Sequence, residues 1–167
     1  MQPNLLVIIL SGLIPLIMGF VWYHPKVMGT IWMKESGVDP TPPQGNRMLI
    51  IFGLTFLLSV FIAFFMTGIV IHPMGLFSML MNHRAELADP NSELGKTVNG
   101  LLTKYGSDFR TFKHGALHGV ITALIAALPI IGINALFEKK SAKYIAVNVG
   151  FWAVSLALMG GVICAFA

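Results

Sequence analysis

Four long stretches without a charged side chain constrain this chain more than any other feature. They cover residues 5–23, 48–71, 114–137 and 144–167, which is 19, 24, 24 and 24 residues. A helix needs about 20 apolar residues to cross a bilayer. Because backbone groups in hydrocarbon must bond within their own segment, each stretch is predicted to be a membrane-spanning helix. The apolar character is continuous and does not alternate, which argues against a barrel of the porin type.

The composition supports the same conclusion. Hydrophobic residues make up 56% of the 167 residues and charged residues 11%, whereas a soluble domain carries about 25% charged residues. So few charges cannot cover a soluble globule of this size, which excludes an ordinary cytosolic enzyme. We therefore expect a single all-α domain over residues 1–167, an integral membrane four-helix bundle. No Lys or Arg precedes Lys26, so the first stretch is predicted to be a retained span rather than a cleaved signal peptide.

The connections between the four spans differ in length. The turn after span three is short and basic, so spans three and four are predicted to be antiparallel neighbours. By the positive-inside rule, this turn also favours both termini outside the cytoplasm. Residues 72–113 are too long for an unstructured loop, and we expect a partly helical extramembrane cap with an interfacial helix followed by a second helix over residues 93–105. The proline-rich linker, residues 39–43, is predicted to be rigid.

Small residues recur at every fourth position on three spans, which indicates how the helices pack. Span three carries Gly115, Gly119, Ala123 and Ala127. Span four carries Ala153, Ala157, Gly161 and Ala165, and span two carries Thr55, Ser59, Ala63 and Thr67. Small residues let helices approach closely in lipid, so spans three and four are predicted to face each other along these ridges. The alternative is that small residues are simply common in membrane helices.

Histidines near the start of span three are the best candidates for chemistry. His114 and His118 lie four residues apart on one helix face, a spacing at which two imidazoles can share a metal ion. His72 ends span two on the same side of the membrane, so all three are candidate metal ligands. No acidic residue lies beside them, and the zincin pattern is absent. Histidines at a membrane interface are more often hydrogen-bonded packing residues, so the sequence favours that interpretation, without a metal or another cofactor.

Among the other polar residues inside the predicted spans, three are candidates for a specific role: Thr122, Asn134 and Asn148. The two asparagines are at similar depth in antiparallel spans and are placed to hydrogen-bond each other, which would hold the helices together. The alternative is a polar lining for a solute. Thr122 shares the face of His118, whereas Asn134 lies roughly opposite, so a continuous polar path along span three is not indicated. Pro15 and Pro129 are predicted to kink spans one and three.

Two clusters of residues resemble a known family. The first follows span one and contains Gly19, Trp22, Tyr23, Pro25, Gly29 and Trp32. The second runs through spans three and four and contains His114, Gly115, His118, Gly119, Pro129, Asn134, Phe137, Glu138, Asn148, Gly150, Trp152, Ser155, Met159 and Gly160. Together they resemble a family of small bacterial four-helix membrane proteins catalogued only as a domain of unknown function. The resemblance implies a multi-pass protein of the bacterial inner membrane, and it implies no activity, substrate or cofactor.

Three functional hypotheses follow in order of preference. The first is a non-enzymatic structural or accessory membrane module that forms homo-oligomers or joins a membrane complex. The second is a small channel or carrier with a path lined by His72, His114, His118, Asn134 and Asn148. The third is a metal-dependent membrane enzyme that uses the histidines. The lipid bilayer is the expected partner, and a nucleic acid is not, because the chain lacks a basic run.

Overall fold

The computed structural model describes residues 3–39, 41, 43 and 45–167. Their α-helices are α1 (Leu5–Ser11), α2 (Ile14–Trp22), α3 (Thr30–Ser36), α4 (Arg47–Val70), α5 (Pro73–Met79), α6 (Arg84–Ala88), α7 (Glu93–Tyr105), α8 (Phe112–Thr122), α9 (Leu128–Phe137) and α10 (Ala142–Phe166). Short π-helical turns cover Pro25–Gly29 and Ala123–Ala127, and a 3₁₀ turn covers Met81–His83. Two prolines of the predicted rigid linker, Pro40 and Pro42, lie outside the described residues.

Four helical stretches are long and apolar enough to cross a membrane. Span one (α1 and α2) covers Leu5–Trp22, and span two (α4) covers Arg47–Val70. Span three (α8, its π turn and α9) covers Phe112–Phe137, and span four (α10) covers Ala142–Phe166. These bounds lie within two residues of the predicted ones, and the predicted all-helical fold is confirmed. The connection from span two to span three is partly helical, and α7 begins as predicted, where the Ser92 hydroxyl accepts a hydrogen bond from the Gly95 amide.

Spans three and four pack together at backbone distance. A Cβ atom added to Gly115 would lie 2.1 Å from the Gly160 carbonyl oxygen, and one added to Gly119 would lie 2.1 Å from the Leu156 carbonyl oxygen. The predicted pairing of these spans along small residues is therefore present. On span four, the backbone groups closest to span three belong to Leu156 and Gly160. The face in contact therefore lies one residue before the predicted ridge.

The residues of the predicted span-four ridge lie at the edge of this contact. Gly161 is buried beneath the Phe112 ring, and a Cβ added to Gly161 would lie 2.6 Å from that ring. Ala157 is half-buried. On span two, Ser59, Ala63 and Thr67 are buried as the ridge predicted. Span four lies at the centre of the molecule, since it contacts each of the other three spans.

Both predicted proline kinks coincide with a break in regular α-helix. Span one is interrupted between α1 and α2, and Pro15 is the second residue of α2. In span three, Pro129 has no amide hydrogen to donate, and the turn before it widens so that the Leu128 amide donates to the Ala123 carbonyl. A π turn of this kind places one extra residue in the helix. It rotates α9 relative to α8 by about 100° compared with a regular helix.

Candidate metal centre

The three histidines reach one end of the bundle from two different segments. His72 follows span two and stands immediately before Pro73, the first residue of α5. His114 and His118 lie one turn apart on α8. The start of α8 is fixed by Thr111, whose hydroxyl accepts a hydrogen bond from the His114 amide at 3.2 Å. Local helix geometry therefore orients two of the imidazoles, and the end of span two supplies the third.

The imidazoles of His72, His114 and His118 form a compact group, called the histidine cluster below. One ring nitrogen of each lies within 4.8 Å of the corresponding atoms of the other two. The Nε2 atoms of His72 and His114 are 3.3 Å apart, and the ring centroids of His114 and His118 are 4.5 Å apart. His72 is exposed and the other two are half-buried, so the cluster opens toward the surroundings of the bundle.

The separation of the His72 and His114 ring nitrogens is the one that a tetrahedral metal site requires. Zn²⁺ binds imidazole nitrogen at about 2.0–2.1 Å, so two nitrogens at the tetrahedral angle lie about 3.3–3.4 Å apart. The His72 and His114 Nε2 atoms already have this spacing. A ring nitrogen of His118 lies within 4.8 Å of both. Three imidazoles with no carboxylate among them offer a metal ion nitrogen donors only.

Phe109 lies beside the histidine cluster in an uncommon backbone conformation. Its φ angle is +61°, a left-handed geometry that is uncommon for a bulky side chain. The Phe109 ring lies 5.1 Å from the ring of His114 and 6.1 Å from that of His72. Its carbonyl accepts hydrogen bonds from the Thr111 amide and the Cys164 thiol. Strained backbone of this kind persists where the surrounding structure holds it, and it concentrates at functional sites.

Arg110 attaches the same loop to the end of span four. Its Nε donates a hydrogen bond of 2.7 Å to the Cys164 carbonyl, and its Nη2 donates to the Ala167 carbonyl. A cation beside the carbonyls at a helix C-terminus interacts favourably with the helix dipole. The guanidinium charge is therefore directed at span four, and the loop that carries Phe109 is held against the bundle.

The other polar residues predicted from sequence are not part of this cluster. The Thr122 hydroxyl donates to the His118 carbonyl at 2.8 Å, so it lies on the predicted face. Asn148 accepts a hydrogen bond from the Tyr23 hydroxyl at 3.1 Å and donates to the Tyr144 carbonyl at 2.8 Å. The predicted pairing of Asn134 with Asn148 was wrong. Asn134 is exposed, because it lies beyond the π turn that rotates α9 away from the register of a regular helix.

Sequence reasoning missed Phe109 and Arg110 as neighbours of the histidines. No spacing pattern distinguishes them within a long polar connection. The signal that would have helped is proximity, since both come directly before α8, where two of the histidines lie. In the sequence, the aromatic residues at the end of span one contributed only to the family resemblance. In the structure they also form specific bonds, because the Trp22 indole donates to the Val147 carbonyl at 3.1 Å.

These features define a class of protein: a helical, multi-pass membrane protein with a cluster of three histidines where two spans meet. The chain belongs to the family described as "Protein of unknown function (DUF1761)", whose sequence model matches residues 6–164. The family resemblance inferred from the sequence is therefore confirmed. No curated protein and no solved structure matches the chain. The geometry of the molecule itself consequently carries the functional argument.

Proposed function

We propose that this membrane protein binds a divalent transition-metal ion through His72, His114 and His118. The observation that carries the proposal is the 3.3 Å separation of the His72 and His114 Nε2 atoms, with a nitrogen of His118 inside the same 4.8 Å group. Hydrogen-bonded packing explains one such contact. It does not account for three imidazoles from two segments whose ring nitrogens lie within 4.8 Å of one another, so we prefer metal binding to the packing role that the sequence favours.

The donor set indicates which ions the site would take. Imidazole nitrogen suits Zn²⁺, Cu²⁺, Ni²⁺ and Fe²⁺, whereas Mg²⁺ and Ca²⁺ prefer oxygen ligands. Three protein ligands leave one position of a tetrahedral Zn²⁺ site for water or an exogenous ligand, as in catalytic zinc sites. The exposure of His72 makes that position reachable from outside the bundle. We therefore choose Zn²⁺ as the first ion to test.

The other two hypotheses rest on weaker grounds. A polar path would need the histidines and asparagines to line one route, but Asn134 is exposed and Asn148 bonds to Tyr23 and Tyr144. The channel or carrier therefore has no supporting observation. Self-association as an accessory module stays a prediction, and the oligomeric state in mild detergent tests it.

The test is metal binding by the purified full-length chain in mild detergent. We expect about one Zn²⁺ for each chain by elemental analysis after loading and desalting, and a saturable isotherm by calorimetry. His114→Ala is expected to weaken binding at least about tenfold, since it removes one of three ligands. His83→Ala is the matched control, because His83 is exposed and contacts Glu86 instead of the cluster. Absence of stoichiometric Zn²⁺, or equal loss in both variants, overturns the proposal.

A further inference from the structure

A groove lies at the opposite end of the bundle from the histidine cluster. It runs between the interfacial segment that follows span one, residues 25–36, and the first turns of span four. Its volume is about 540 Å³, within the range of about 300–1,000 Å³ that is typical of small-molecule sites. We call it the lysine groove, because Lys34 and Lys143 line it together with Trp22, Ile31 and Ala146.

The lining of the lysine groove is divided into an apolar part and a charged part. Trp22, Ile31 and Ala146 supply apolar surface, and the two lysines are exposed. Glu35 is the acidic residue of the lining, and its carboxylate accepts a hydrogen bond from the Ser141 hydroxyl. Two ammonium groups against one carboxylate leave the groove with a positive charge, so an anionic head group with a hydrocarbon tail is complementary to it.

The residues around the groove are of the types found at the depth of lipid head groups. Trp22 is the last residue of span one, and Lys143 belongs to the first turn of span four. Aromatic and basic residues at the ends of spans typically mark the membrane–water boundary. The short basic turn between spans three and four is at this same end, and by the positive-inside rule we expect it to face the cytoplasmic leaflet, which carries anionic lipid.

The apolar wall of the groove is held in place by specific contacts. The Trp22 indole donates to the Val147 carbonyl at 3.1 Å. Gly150 allows the indole to approach, because a Cβ at this position would lie 2.8 Å from the ring. On the opposite side, the Lys140 ammonium donates to the Ser36 carbonyl at 2.6 Å, which attaches the interfacial segment to the basic turn. The groove is therefore a preformed feature of the fold.

We propose that the lysine groove binds one anionic phospholipid, with an acyl chain along the apolar wall and the phosphate between Lys34 and Lys143. Lipid rather than free phosphate is the occupant, because the wall is apolar and the groove lies between the end of span one and the start of span four. The proposal is independent of the metal site, which lies at the other end of the molecule.

The test compares lipids on the full-length protein in mild detergent. We expect phosphatidylglycerol to raise the melting temperature and to stay bound in native mass spectrometry, while phosphatidylcholine with the same chains does neither. Lys34→Gln combined with Lys143→Gln is expected to weaken phosphatidylglycerol binding about 30-fold, which corresponds to about 1 kcal/mol for each lysine. Lys96→Gln combined with Lys104→Gln is the charge-matched control on α7.

A second pair of variants tests the apolar wall without changing charge. Ala146 is exposed in the groove, so Ala146→Leu is expected to occupy the site of the acyl chain and reduce lipid binding while the protein folds. Gly53→Leu is its control, because a side chain at that position of span two meets open space. The proposal is overturned if inorganic phosphate stabilises the protein as well as the lipid does, if phosphatidylcholine binds equally, or if the groove variants bind phosphatidylglycerol like their controls.

Discussion

Glycine at two positions of span three sets the distance between spans three and four. The carbonyl oxygens of span four come so close to Gly115 and Gly119 that no side chain fits there without separating the helices. In lipid, where water exclusion does not drive helices together, this close packing is a main source of association energy. These two residues therefore test the packing of spans three and four most directly.

Gly119→Ala and Gly115→Ala are each expected to destabilise the protein by about 1–3 kcal/mol, the cost of overpacking a closely fitted core. Thermal unfolding in detergent measures the effect. Gly132→Ala is the control on the same span, because a Cβ there meets nothing within 4 Å and alanine is the better helix former. Equal melting temperatures for the three variants would contradict the backbone contact.

Ser155 presents a different situation, because it places a hydroxyl in the buried interior next to span four's closest packing. Within the described residues its Oγ has no hydrogen-bond partner, and an unsatisfied buried hydroxyl costs about 1–3 kcal/mol. Ser155→Ala is therefore expected to leave the melting temperature unchanged or raise it. Ser11→Ala is the comparison, because that buried hydroxyl donates to the Val7 carbonyl at 2.7 Å. A larger loss for Ser155→Ala than for Ser11→Ala would show that the hydroxyl has a partner.

The sequence predicted which residues form the candidate site, but it did not predict how they are arranged in space. The spacing of His114 and His118 on one helix face is a local property that the sequence specifies. The distance from His72 to that pair depends on how closely spans two and three approach, and no local pattern determines it. Phe109 was unpredictable for the same reason, because its left-handed backbone is held by contacts with Cys164 and Thr111.

At the scale of helices, hydrophobic length was sufficient to locate the four spans but not to determine their register. Charges and prolines mark the ends of the spans, and the predicted bounds agree with the structure within two residues. The π turn before Pro129 was not predicted, since proline also permits a simple kink. Its rotation of α9 explains why Asn134 is exposed. Depth alone therefore predicted a pairing with Asn148 that the structure lacks.

The segment after span one is attached to span four chiefly through side chains. Tyr23 donates to Asn148, and its ring lies 5.2 Å from that of Phe151. Tyr23→Phe and Asn148→Ala are each expected to lower the stability, with a coupling energy of about 0.6–1.7 kcal/mol between them, as measured for other hydrogen bonds between membrane helices. A double-mutant cycle by thermal unfolding gives the coupling directly. Additive effects of the two substitutions would show that the hydrogen bond contributes nothing.

For the whole molecule, the histidine cluster connects parts of the chain that are distant in sequence. His72 lies at the end of span two, and His114 and His118 lie in span three. The segment between them, residues 73–113, is attached to the bundle near its end by Arg110, which bonds to the last carbonyls of span four. A metal ion at the cluster would close this segment into a loop, so its binding free energy would add to the stability of the bundle.

Zn²⁺ at about 100 times its dissociation constant is therefore expected to stabilise the protein by about 2.7 kcal/mol, measured as a rise in melting temperature. Protons compete with the metal for the same nitrogens, so the metal-bound folded state holds fewer protons than the unfolded chain. The stabilisation by Zn²⁺ should accordingly increase with pH and be lost as the pH falls. His72→Ala should abolish most of the rise, since only the pair on α8 remains, whereas His83→Ala should preserve it. A rise that persists in His72→Ala, or that is independent of pH, would mean that Zn²⁺ binds elsewhere and that the loop is not closed by metal.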